Sequence, residues 1–242
     1  MKLFSKKKKP VNLIKAFDPE SPGIIEIQRL FKTIYGKGPS SSGLRSLMVT
    51  STMPQEGKSI LSGNLGLVAA QANQHTLIID ADMRRPTQHR HFPVSPSPGL
   101  SDYLLKEVEL DQAIHNTTLE HLKLLPCGSR VTAPGGLLQS DISEFKALLD
   151  QCYMHFDIVI VDVPPVVPVN DAELIAPLAD GVAFVVMSGK TYRELVQRGL
   201  ELLQKSHCNI VGIILNNMKR ALPYHYEHKY YHYRPGPVWS GD

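Results

Sequence analysis

A mostly parallel β-sheet with helices on both faces, the α/β class, is the fold this sequence predicts. Three observations predict it. Six short apolar runs alternate with helix-like stretches along the 242 residues, which is the pattern of βαβ units. A glycine-lysine-serine turn, Gly57-Lys58-Ser59, stands between the first run and the first long helical stretch. Acids close two further runs, Asp80 and Asp82 after one and Asp162 after another.

The expected strands are Leu47 to Thr50, Thr76 to Ile79, Leu122 to Leu125, Phe156 to Val161, Val182 to Met187 and Ile210 to Leu215. Each reads as a buried strand, apolar on both faces. The expected helices are Ser59 to Gln74, Ser140 to Met154, Asp171 to Leu178 and Thr191 to Lys205. Ahead of them, Ile24, Ile27, Leu30 or Phe31, and Ile34 form an apolar stripe at helical spacing. No repeat of fixed period is present. Residues 1–22 are charged and proline-bearing, and residues 223–242 lack aliphatic periodicity, so both are expected to be flexible arms around a core of residues 23–222.

Composition sets outer bounds. Hydrophobic residues make up 43% and charged residues 20%, values of a globular chain with a sizeable core. No stretch reaches the ~18 apolar residues of a spanning helix. The N-terminal "MKLFSKKKKP" has no apolar stretch behind it and is not a secretory signal. Cys127, Cys152 and Cys208 are widely spaced in apolar contexts and read as reduced thiols in a reducing compartment. A net charge of +3 is mild, and no nucleic-acid partner is expected.

The stretch "TSTMPQEGKSI" carries the first chemistry. A helix beginning near Ser59 points unpaired N–H groups and the positive end of its dipole into the preceding turn. Lys58 adds a charge for β- and γ-phosphate oxygens, and the Ser59 hydroxyl can ligate Mg²⁺. The opening glycine of a phosphate-binding loop is here Thr52. The sequence contains its own control, "MSGKTYRE", where only Ser188 separates Met187 from Gly189. That second turn is too short for backbone to wrap a phosphate.

In "TLIIDADMRRP", Asp80 and Asp82 emerge from a strand end with Arg84 and Arg85 just after. Strand carboxyl ends face the ligand crevice of open α/β sheets, and acids two apart point the same way. Asp162 closes "FDIVIVDVPP". Each acid alone reads as a cap or turn former; three together with a GKS suit Mg²⁺ and the removal of a proton.

"STMPQEGKS", "LIIDADMRRP" and "IVIVDVPP" resemble the Walker A, A′ and B motifs of the bacterial tyrosine kinases, P-loop NTPases that phosphorylate tyrosines in capsule and exopolysaccharide assembly. "VNDAELIAPLADGVAFVV" and "IVGIILNN" extend the resemblance, which runs from about Glu26 to Asn217. A missing opening glycine is usual in that family.

The resemblance implies an ATP-dependent, autophosphorylating kinase using ATP and Mg²⁺. It places Gln55, Glu56, Gly57, Lys58, Ser59 and Ile60 around the phosphates and Asn216 at the adenine. Ser59, Asp82 and Asp162 would form the metal shell, and Asp80 would accept the tyrosine proton. Lys58 would hold the phosphates, and Arg84 would assist with transition-state charge or the incoming acceptor.

The tail "YHYEHKYYHYRP" supplies acceptors: Tyr224, Tyr226, Tyr230, Tyr231 and Tyr233, five of the nine tyrosines. An aromatic strand docked on the core, or a metal tract of His225, His228 and His232, are the alternatives for this segment. Glu26, Arg29 and Lys32 resemble the family's E-x-x-R-x-x-R self-association motif, with lysine in place of the last arginine. Lysine lacks the bidentate fork of arginine. The resemblance further implies a membrane polysaccharide co-polymerase whose cytoplasmic segment activates the kinase, and a cognate tyrosine phosphatase. Its location would be cytoplasmic, peripheral to the inner membrane through that partner.

Two other classes stand beside this one. A positioning or partition ATPase of the MinD/ParA kind has a signature lysine where this chain has Met53. A scaffold that binds nucleotide without turnover would not need Lys58, Asp80, Asp82 and Asp162 together.

Overall fold

Alternation of side chains along each strand decides how the layers form. The computed structural model describes residues 11–36, 43–129 and 134–217. Its strands are β1 (Ser46–Ser51), β2 (Thr76–Asp80), β3 (His115–Asn116), β4 (Leu122–Leu125), β5 (Ile158–Asp162), β6 (Gly181–Met187) and β7 (Ile210–Asn216). All residues of β1, β2 and β5 are buried. Leu47, Val49, Ile78 and Ile160 enter one core, whereas Met48, Leu77, Ile79, Val159 and Val161 enter the other. A strand with both faces in a core reads as an unbroken apolar run, which is why these were visible in the sequence.

The strands form one seven-stranded sheet in the order β3-β4-β2-β5-β1-β6-β7. Pairing is parallel throughout except between β3 and β4. Register places Asp80 opposite Asp162 and Val49 opposite Asp162. The carboxyl ends of β1, β2 and β5 therefore converge on one spot. β7 differs from its expected burial: it is an edge strand, and its Ile213 and Leu215 are 48% and 54% exposed. It pairs with β6 alone, so among the described residues its other edge has no strand beside it.

The helices are α1 (Leu13–Ala16), α2 (Pro22–Tyr35), α3 (Lys58–Gln71), α4 (Gln88–His91), α5 (Leu100–Leu104), α6 (Leu110–Ala113), α7 (Pro134–Ser140), α8 (Ile142–Cys152), α9 (Asp171–Ile175) and α10 (Arg193–Lys205). A 3₁₀ turn at Ala176–Leu178 completes the stretch after α9. α3 lies against the sheet and is itself covered by α1 and α2, so Leu61 through Ala70 are all buried. That double cover explains its lack of an amphipathic stripe. Small residues permit it: a Cβ on Gly63 would overlap Leu13, and one on Gly66 would overlap Ile78. The opposite face is closed by Phe145 and Leu148 of α8, Ile175 of α9 and Leu203 of α10. Each such buried side chain contributes roughly 1.5–3 kcal/mol.

The described part of the expected N-terminal arm is docked from Val11 to Phe17. Asn12 caps α1 by accepting from the Lys15 N–H at 3.1 Å, and Leu13 is buried against α3. His91 Nδ1 lies 2.7 Å from the Val11 carbonyl. One buried leucine and a cap were too little pattern to announce a helix four residues long. The short helices α4 to α7 and the strand β3 were likewise not expected. α2 follows its stripe, with Ile24, Phe31 and Tyr35 buried. Cys127 and Cys152 are buried free thiols and Cys208 a half-buried one. The basic N-terminal stretch and the tyrosine-rich tail lie outside the described residues.

Candidate active site

The turn after β1 closes on itself. Gln55 and Gly57 have φ of 67° and 94°. The left-handed Gly57 turns the chain into α3, where a side chain would overlap Asn216 Nδ2. Glu56, 2% exposed, is the internal fastener: its carboxylate accepts from the Met53 N–H at 2.9 Å and from the Thr191 hydroxyl. Asn216 Nδ2 donates to the Glu56 carbonyl at 2.8 Å. Asn216, expected at adenine, is thus tied to the loop itself. Thr52 is fully buried with no partner for its hydroxyl.

At the start of α3, Lys58 turns inward and is 7% exposed. Its Nζ is 2.8 Å from Asp82 Oδ2, 3.2 Å from Asp162 Oδ1 and 3.2 Å from Ser59 Oγ. Burial alone would lower the lysine pKa, but the charges of Asp162 and Asp82 outweigh it and the pKa is raised. The ammonium thus fills the position between two carboxylates where a cation is strongly held.

Asp80 behaves differently from Asp82. It is fully buried, and its Oδ2 accepts from the Thr87 and Gln88 N–H groups, each at 2.9 Å. Its Oδ1 has no partner. Burial, and then the negative charge of Asp162, push its pKa up to about 8, against the opposing pull of the Gln88 N–H and Lys58. Asp82 lines the cavity instead, with its Oδ1 accepting from the Arg85 N–H at 3.0 Å.

Gln88 went unnoticed in the sequence. It is fully buried, and its Nε2 donates to Asp162 Oδ2 at 2.8 Å and to the Ser59 carbonyl at 2.9 Å. Together with its main-chain N–H on Asp80, this glutamine braces both acid-bearing strands to the loop. No local pattern marks such a residue, because its partners lie 29 and 74 positions away. Asp171 was also missed: buried, it holds Arg84 by two bonds, Nε at 2.8 Å and Nη2 at 3.0 Å. Arg84 is therefore anchored on α9, not pointing freely at the acids.

A cavity of about 430 Å³ opens over Lys58 and Asp82. Gln55, Gly57, Ser59 and Ile60 line it together with Pro164, Pro165, Pro168 and Val169. The lining thus combines charged and hydrogen-bonding groups with an apolar set of prolines and a valine. Ser59 Oγ, Asp82 and Asp162 are hard oxygen donors gathered around Lys58 Nζ. Among the described residues, no three His, Cys, Asp or Glu side chains form a ready cage for a metal. Mg²⁺ takes one or two carboxylates and completes its shell with phosphates and water, so this donor set fits it.

Comparison with known proteins is consistent across sequence and structure. The family described as ParA, NUBPL iron-transfer P-loop NTPase, matches residues 45–238. Tyrosine-protein kinase YwqD of Bacillus subtilis is 37% identical over 188 residues, covering 78% of this chain and 78% of that protein. Tyrosine-protein kinase CpsD of Streptococcus agalactiae is 34% identical over 177 residues, 73% of this chain and 76% of its own length. The crystal structure of the chimerical protein CapA2B2 superposes with a TM-score of 0.77 at 33% identity, over 84% of this chain and 88% of the other. The cell-division ATPase MinD of Pyrococcus furiosus shares the fold alone, at 20% identity and a TM-score of 0.61 over 71% of each chain.

Proposed function

This chain belongs to the bacterial tyrosine kinases, P-loop NTPases of the ParA class, and we propose that it transfers the γ-phosphoryl group of ATP to tyrosine hydroxyls, its own Tyr224, Tyr226, Tyr230, Tyr231 and Tyr233 among them. The observation that carries this reading is the buried ammonium of Lys58 held between Asp82 and Asp162 at the floor of a half-apolar cavity.

The chain's own groups divide the work. The closed loop from Met53 to Gly57, with the N-terminal amides of α3, receives the phosphates. Lys58 exchanges its two carboxylates for β- and γ-phosphate oxygens, which vacates the space between Asp82 and Asp162. Ser59, Asp82 and Asp162 would hold Mg²⁺, which when bound supplies charge that neutralises the transferring group. The acceptor ring would lie against Pro164, Pro165, Pro168 and Val169, which line the cavity together with Asp82. The phosphorus–oxygen bond to ADP breaks as the tyrosine oxygen bonds to phosphorus, and the phenolic proton passes to the free Oδ1 of Asp80. Asp80 does this in its ionised form, and the burial that raises its pKa makes that carboxylate a stronger proton acceptor than an exposed one.

Arg84 acts through Asp171, keeping the Asp82–Arg85 turn in place. Asn216 shapes the adenine end of the loop through the Glu56 carbonyl. Family membership supports an activating partner, the cytoplasmic segment of a membrane polysaccharide co-polymerase, which would keep the chain at the inner membrane. It equally supports a role in exopolysaccharide or capsule synthesis, self-association, and reversal by a tyrosine phosphatase. No helix among the described residues is long and apolar enough to cross a membrane. The test is incubation of purified protein with Mg-ATP followed by phosphotyrosine detection, with Lys58→Met alongside. Label on the active protein and none on the variant is expected; equal label on both defeats the assignment.

A further inference from the structure

Four of the nine tyrosines lie among the described residues, and the structure sorts them by access. Tyr35 is fully buried. The hydroxyl of Tyr103 accepts from Gln151 Nε2 at 3.1 Å, and that of Tyr153 donates to Ser46 Oγ at 2.7 Å under the Arg45 guanidinium. Tyr192 is 74% exposed and stands at the head of α10. Its backbone is extended, with φ −68° and ψ 142°, and no side chain caps the helix behind it. Lys190 and Arg193, both exposed, flank it.

The position is as informative as the exposure. Thr191, one residue earlier, donates its hydroxyl to Glu56, the side chain that fastens the phosphate loop. Ser188, at the start of the same turn, donates its N–H to the Asn216 carbonyl at 2.9 Å. Tyr192 thus sits on the turn that backs the nucleotide loop. That turn is no part of the cavity, whose walls come from residues 54–60, 82–91 and 164–169. Anchored between β6 and α10, Tyr192 cannot enter its own active site without unravelling that connection.

We propose that Tyr192 is a phosphoacceptor outside the tail, modified by a second copy of this chain, and that its phosphate weakens nucleotide binding through the Thr191–Glu56 contact. The inference rests on the kinase reading above. In the step, the Tyr192 oxygen bonds to the γ-phosphorus of ATP, ADP leaves, and the phenolic proton passes to the base of the modifying copy. The product carries about −1.5 to −2 charge. At the head of α10, between Lys190 and Arg193, that charge is tolerated. It is one residue from a hydroxyl that must stay on the Glu56 carboxylate, and the repulsion between like charges pulls against that contact.

Full-length Lys58→Met protein, unable to modify itself, is mixed with tagged active protein and Mg-ATP, and the acceptor's phosphosites are mapped by mass spectrometry. Phosphate at Tyr192 as well as on the tail is expected, with the Tyr192 signal lost and the tail signal retained in Lys58→Met/Tyr192→Phe. Tail phosphate with none at Tyr192 overturns the inference and leaves the kinase reading intact; no phosphate anywhere overturns both. For the second half, full-length wild type and Tyr192→Phe are each phosphorylated to completion and titrated with a non-hydrolysable ATP analogue. Because both carry the same tail phosphates, a Kd weaker by about 3–10-fold in wild type alone is expected. Equal Kd values would overturn the coupling.

Discussion

Two turns in this chain follow a buried strand and read Gly-Lys-Ser or Gly-Lys-Thr, yet they do opposite things. After β1, Gly57 is pinned under Asn216 and Lys58 is drawn inward among three acids. After β6, Gly189 has open space around it and Lys190 is exposed. Thr191, the counterpart of Ser59, is no part of the cavity lining and holds Glu56 of the first turn. The triplet is therefore not the site. What makes one turn a nucleotide loop is the length that lets it wrap, and the strand neighbours that bring Asp80, Asp82 and Asp162 beside its lysine. The second turn serves as a buttress for the first.

Exchanging the two lysines for methionine should separate the turns most widely. Lys58→Met removes the charge opposite the phosphates and should lower the phosphotransfer rate by about 10²–10³-fold or more. Lys190→Met should leave the rate within about twofold, since an exposed charge contributes little. Initial rates of phosphotyrosine formation check both, and similar losses would erase the contrast.

The glycines give the next largest difference. Gly189→Ala meets no atom within 4 Å and should cost only the left-handed strain, about 1–2 kcal/mol. Gly57→Ala bears the same strain and must also displace the Asn216 amide from the Glu56 carbonyl. It should be the less stable of the two and should lose nucleotide binding. Denaturant titration and calorimetry with Mg-ADP read both quantities.

Acidity is a third contrast, because only the first lysine has acids around it. The folded pKa of Asp80, about 8, lies above its ordinary value near 4, so the native state keeps a proton that the unfolded chain releases between those pH values. Stability of the nucleotide-free protein should fall through that window from this group. Asp80→Asn, which keeps an uncharged acceptor for the Thr87 and Gln88 N–H groups, should escape the fall. Its Tm should exceed that of wild type by a few degrees at pH 8.5, with a smaller gap at pH 6; a gap independent of pH would refute the assigned cause.

The buttress itself should show the smallest effect. Thr191→Val removes one hydrogen bond to Glu56, worth about 0.5–1.5 kcal/mol. Nucleotide affinity should weaken by about 2–10-fold with little change in the rate at saturation.

Much of the architecture was readable one element at a time. β1, β2 and β5 were visible because both faces are buried, and α3 because its glycine turn and long small-residue stretch follow a strand. The three acids were visible because they end such strands. β7 was placed correctly, but its exposure was not foreseen, since an edge strand and a central one share the same apolar composition. α1 escaped because it is four residues long and held by one buried leucine.

What the sequence determined alone is local: strand and helix periodicity, the Lys58 loop, the strand-end acids, and the kinship carried by their motifs. Strand order was decided only in three dimensions. β5 enters between β1 and β2, and that insertion sets Asp80 across from Asp162 and lets Lys58 bridge Asp162 and Asp82. Gln88, Asp171, and the pairing of Glu56 with Thr191 and Asn216 belong to the same category. Their side-chain bonds span 29 to 160 positions, whereas periodicity reports only which face of its own element a residue occupies. A hydrogen bond between distant elements depends on register and packing, which are properties of the whole sheet and of no single segment.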